Sequence, residues 1–211
     1  MYKAILLIFS ICLSSISFAQ TIGTNTKPID EERYKGINGN PYFYKEWQEA
    51  IIYSKDGNQL DKIEVNYNGN TNEFEAKVDG GFVELDGKDY PRIEILEDST
   101  HFQYAVHPRL TNQYVQVLFE GKKNNLVHTF VTSISTREVQ NRGSTIIKEA
   151  FVRKSTYYLL NEGKMKLLKL KKKDVLSNFS QKEVAALVKK EKLKLNSVED
   201  LVKVLVLVET L

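Results

Sequence analysis

The chain has little of what metal, redox and nucleophilic chemistry use. Of its 211 residues one is cysteine, Cys12, and three are histidine. Cys12 falls in an apolar leader, so the remainder has no thiolate nucleophile, no disulfide and no zinc–thiolate site. His101, His107 and His128 are not spaced as two ligands on one helix or strand face are. HExxH, GxSxG and GxxxxGK[ST] patterns are absent. The sequence therefore implies no cofactor, no metal site and no catalytic constellation, and the reading is against an enzyme.

Long apolar runs are missing beyond the first twenty residues, so no transmembrane segment is expected in the mature chain. The start is different. Lys3 supplies a short positive region, Ala4 to Ile16 is apolar or small without charge, and Ser17-Phe18-Ala19 puts small residues where a signal peptidase cuts. Residues 1–19 read as a cleavable signal peptide, too short in its apolar part for a lasting anchor. That places the mature chain in the periplasm or elsewhere in the cell envelope. Residues 20–40, polar and carrying Pro28 and Asp30-Glu31-Glu32, read as a leader or linker.

What the chain does have is alternation. Ile63, Val65 and Tyr67 alternate with polar residues, as do Phe74, Ala76 and Val78, and Phe102, Tyr104 and Val106. On a strand this puts one face in the core and one in water. Turn signals separate the runs at Asp56-Gly57-Asn58, Asp79-Gly80-Gly81, Asp86-Gly87-Lys88, Glu120-Gly121-Lys122 and Glu162-Gly163-Lys164. Residues 41–170 are expected to form an antiparallel β-meander, a curved sheet or barrel-like, with a sandwich also fitting the pattern, and the polar stretch 135–144 as a longer mobile loop. Residues 171–211 change period. Ser180-Gln181-Lys182-Glu183 has capping-box form, with Val184, Leu187, Val188 and Leu195 on one helical face. Ser197-Val198-Glu199-Asp200 starts a second helix through Leu201, Val202, Leu205 and Val208. The fold class is α+β: the meander, then two or three C-terminal helices packing on it.

Two patches stand out as binding candidates. Tyr42, Tyr44 and the only tryptophan, Trp47, form the densest aromatic run; such rings stack on sugars, anchor a partner, or plug the end of a sheet. Lys164, Lys166, Lys171 and Lys172 belong to a basic stretch, residues 164–194, with eleven lysines against three acids, a net +8. Lysines along a strand protect an edge or dock an acidic partner or anionic lipid. Nucleic acid is not expected for an exported chain. Glu73 and Glu75 are a carboxylate pair, yet alternation puts both on the wet face of a strand. His128 alternates with Leu126 and Phe130 and is expected to face the core.

Three stretches carry a family likeness: residues 39–47 with Asn40-Pro41-Tyr42-Phe43-Tyr44, residues 65–75 with Asn68-Gly69-Asn70, and residues 157–205 with Tyr157-Tyr158 and Gly163-Lys164. They resemble an uncharacterised family of exported proteins of Gram-negative bacteria with no assigned activity. The resemblance implies export and the β-then-α order, and lends no catalytic residue. The expected function is non-enzymatic binding of an envelope protein, lipid or glycan. The alternative is a carrier or sensor of a small apolar or glycan ligand held in the β-domain.

Overall fold

The structure, a computed structural model, describes residue 22 and residues 26–141, 144–179 and 182–210. The expected signal peptide, and the Ser180-Gln181 half of the capping box, lie outside the described residues. The strands are β1 (Lys27–Pro28), β2 (Gln48–Tyr53), β3 (Gln59–Asn68), β4 (Glu73–Val78), β5 (Gly81–Leu85) and β6 (Arg92–Ile95). After them come β7 (His101–Tyr104), β8 (Tyr114–Glu120), β9 (Asn124–Asn141), β10 (Ser144–Asn161) and β11 (Lys164–Leu168). The helices are α1 (Lys172–Ser177), α2 (Lys182–Lys190) and α3 (Val198–Val208).

All eleven strands belong to one antiparallel sheet in the order β1-β5-β4-β3-β2-β6-β7-β8-β9-β10-β11. It is a meander broken once. β2 to β5 wind in one direction; the chain then returns to the free edge of β2, and β6 to β11 wind in the other. Asp86-Gly87-Lys88, expected to close a hairpin, instead opens this crossover, because the outer edge of β5 is taken by β1. The described part of the polar leader is thereby attached to the sheet.

β1 and β11 are its ends, so the sheet is not closed, but it curls strongly. Phe74 of β4 lies 5.0 Å from Phe102 of β7 and 5.0 Å from Tyr114 of β8, ring centre to ring centre. Tyr67, Phe74, Phe102 and Tyr114 are fully buried and fill the space between the two halves. Each such side chain contributes about 1.5–3 kcal/mol on leaving water.

Burial departs from simple alternation on the other face of β3 and β4. Asn66, Asn68 and Glu75, expected to be wet, are buried. The cause is the segment before β2, which crosses this face. Phe43 N–H donates to Tyr67 O at 2.9 Å, and Gly69 N–H donates to Pro41 O at 3.0 Å. Asn66 accepts from Tyr44 N–H and donates to Tyr44 O, so its amide stands in for a missing strand.

A second core lies between the far end of the sheet and the helices. Leu126, Leu159 and Leu168 of β9, β10 and β11 meet Val175, Val184, Val188, Leu201 and Leu205. α3 starts as expected, with the Ser197 hydroxyl accepting from Asp200 N–H. Leu195 is not on the face of α2. It sits in the turn after it at φ 57°, fully buried, its N–H bound to the Asp200 carboxylate.

The stretch 135–144, expected as a loop, is strand at every described position. Its described residues are the ends of β9 and β10, which pair rung for rung from Asn124↔Asn161 to Asn141↔Ser144.

Candidate functional site

The three aromatic candidates diverge. The Tyr42 hydroxyl donates to Glu75 at 2.9 Å, and burial beside that carboxylate pushes its pKa up. Tyr44 turns inward to Phe43 and Phe102, with ring centres 4.8 and 6.5 Å away. Trp47 stacks on Phe82 at 4.9 Å under the Lys77 ammonium. Of the two readings of this run, the packing role describes Tyr44 and Tyr42. Trp47 borders a surface hollow, shared with Glu46, Glu49 and Leu96.

Glu75 centres a buried polar cluster. Arg33 donates to its Oε1, as does Asn68 at 2.6 Å, while Tyr42 donates to Oε2. Asn68 also reaches the Tyr34 hydroxyl at 3.0 Å. Arg33, Tyr34 and Tyr42 come from the segment before β2 and Asn68 and Glu75 from β3 and β4, so the cluster ties the one to the other. Nearby, Glu73 is pushed up to about 8 by burial and then by Asp86 and Glu84. Lys27 and Lys88 border a surface hollow together with Glu73, Glu84 and Asp86, and among the described residues no three acidic or histidine groups are placed to hold a metal ion.

The three histidines do not converge. His128 faces inward as expected, stacked on Tyr157 at 4.8 Å and bonded through Nδ1 to Gln116 Oε1 at 2.8 Å. Burial lowers its pKa to about 4, so it is neutral. His101 points toward Glu120 at 3.9 Å, and His107 bonds to Gly163 O at 3.1 Å.

The least expected surface is the β9–β10 hairpin. Both strands run 18 residues. β8 pairs only with residues 125–128 of β9, and β11 only with residues 157–161 of β10. Higher up, Thr132 N–H donates to Gly69 O, and Asn38 bridges to Ala150. Beyond these points β9 from 133 to 141 and β10 from 144 to 148 have only each other as strand partners among the described residues. About nine residues at ~3.4 Å each make a free edge of roughly 30 Å. Seven large hydrophobics are exposed among the described residues, and four of them, Ile134, Ile146, Ile147 and Val152, are on this ribbon. The register puts Ile134 opposite Phe151 and Ile147 opposite Glu138 on one face, and Ile146 opposite Val139 and Val152 opposite Ser133 on the other. Apolar side chains thus stand on both wet faces. None was singled out as a candidate, because Ser, Thr, Gln and charges between them resemble a loop.

The lysine candidates separate into two pairs. Lys171 and Lys172 are exposed at the start of α1. Lys164 and Lys166 lie on the face of β11 that the helices partly cover, beside Leu168, while Leu167 on the opposite face is 56% exposed. On this face Leu168 is buried while Lys164 and Lys166 remain exposed at the rim of the helix-covered part. With Lys123, Asn124, Asn161 and Asn178 the two lysines line a cavity of about 340 Å³. Lys123 and the three amides come from other elements and were not legible as one site.

Compared with family models, curated proteins and solved structures, the chain matches none, so no relative lends it a residue role.

Proposed function

We propose that the protein is exported and acts in the cell envelope by binding another protein, with the β9–β10 ribbon as its docking arm. The observation that carries this is the ribbon itself: a long free edge with isoleucines on both faces. A two-stranded ribbon alone in water is marginal, and unpaired strand edges are templates for another strand. Adding a partner strand along residues 133–141 satisfies the backbone of β9, and the exposed isoleucines provide the side-chain contacts that such pairing uses for specificity. Arg137, Glu138, Lys148 and Glu149 keep the free arm soluble. Export rests on the sequence of residues 1–19 and on the family resemblance. The alternative, a small ligand inside the sheet, is disfavoured by the filled core of Tyr67, Phe74, Phe102 and Tyr114.

Site-specific photocrosslinking tests the reading. A crosslinking residue at Ile134 or Ile147 is expected to give discrete protein adducts in cells, while one at Asp56, exposed in the β2–β3 turn, gives none. Adducts absent from the ribbon, or equal at all three positions, overturn it.

A further inference from the structure

The face of the sheet toward the helices is ordered in rows. Register places Asn124, Asn161 and Lys164 side by side, then Leu126, Leu159 and Lys166, then His128, Tyr157 and Leu168. The helices pack on Leu126 and Leu159 of the second row and Leu168 of the third. The first stays open beside Asn178 and Phe179, which follow α1, and where α3 ends at Val208, and this gap is the cavity of about 340 Å³. Its volume is that of a small-molecule site.

The chemistry of its walls is one-sided. Lys123, Lys164 and Lys166 bring three positive charges, and none forms an ion pair among the described residues. Among the described residues no carboxylate lines the cavity. Glu209, just after α3, is already held by four donors: the N–H groups of Lys122, Lys123 and Asn124 and the Asn124 side chain. That grip also fixes the turn that presents Lys123. The asparagines are held too: Asn161 donates to Lys123 O and Asn124 Oδ1, and Asn178 donates to Asp174 O. The floor is apolar, made by Leu159, Phe179 and Val208.

The geometry points to a binding site for a small amphipathic anion in this cleft: a carboxylate or phosphate head among the three lysines, with an apolar body on Leu159 and Phe179. The inference stands apart from the ribbon and survives its failure. Edge protection alone explains lysines on β11 but not their convergence with Lys123 over an apolar floor.

Calorimetry on the full chain decides it, with octyl phosphate and octanoate as probes, and inorganic phosphate and octanol separating head from body. The amphiphiles are expected to bind saturably. Lys164→Gln with Lys166→Gln is expected to weaken them by about tenfold or more, while Lys171→Gln with Lys172→Gln, the same charge change outside the cleft, leaves them unchanged. If the first double variant aggregates, Lys123→Gln in the β8–β9 turn takes its place. Inorganic phosphate or octanol binding as tightly as octyl phosphate overturns the proposal, as does absence of saturable binding or equal weakening in both double variants.

Discussion

Arg33 and Glu75, 42 positions apart in sequence, form an ion pair in which the carboxylate is only 1% exposed. The pair holds the segment before β2 across the outer face of β3 and β4. Removing one partner leaves a buried charge without its counter-ion, which costs about 3–5 kcal/mol. Arg33→Met and Glu75→Gln are each expected to lower the urea midpoint strongly. The double variant Arg33→Met/Glu75→Leu is expected to lose much less than the two singles summed, because no uncompensated charge remains.

His128 makes stability fall on the acid side. Its pKa is near 6.5 when unfolded and about 4 when folded, the drop being due to burial. Between those values the unfolded chain binds a proton that the folded chain refuses, so acid favours unfolding. The contribution is complete above pH 6.5 and declines toward pH 4, a difference of about 3 kcal/mol across the window. Melting curves of His128→Gln are expected to be flatter than wild type over this range.

Glu73 works in the opposite sense. Burial and its neighbours Asp86 and Glu84 raise it from 4.5 to about 8. Between pH 4.5 and 8 the folded state binds the proton and the unfolded state does not, so stability falls as pH rises and levels off above 8. Glu73→Gln is expected to melt higher than wild type at pH 8 and close to it at pH 4.5.

Gly87 lies against the Tyr104 ring. A Cβ built there would sit 2.0 Å from Cδ2 and 2.5 Å from Cγ, near the root of the ring, so the whole side chain must move. Gly87→Ala is expected to cost about 1–3 kcal/mol by chemical unfolding. Adding Tyr104→Leu should recover part of that loss.

Ser197 caps α3 through Asp200 N–H. Ser197→Ala is expected to cost about 1 kcal/mol and Ser197→Asp close to nothing, read as urea midpoints.

The alternation of Val65 with Tyr67 and of Phe74 with Ala76, the turns at Gly57 and Gly80, and the cap at Ser197 were all legible in the sequence. Each is decided by neighbours a few positions away. Glu75 and Asn68 were not, because the groups that bury them, Arg33, Tyr34 and Tyr42, arrive from a distant segment. The ribbon escaped for a different reason. Period-two patterning announces a strand only when one face is dry, and around Ile134 and Ile147 both faces are wet. Lys164 and Lys166 were visible as a patch, but their direction depends on register with Leu159 and Asn161. Lys123 joins them only through the β8–β9 turn.

The crossover at Asp86 has a temporal side. β2 accepts β3 on one edge and β6 on the other. A chain made only as far as residue 91 has the pieces for a meander of β2 to β5, but leaves Ala50 to Tyr53 with an unsatisfied edge. Through that interval the nascent protein carries a sticky strand at what becomes the middle of the sheet. A carboxy-terminal truncation there is therefore a candidate for aggregation rather than for a smaller working domain.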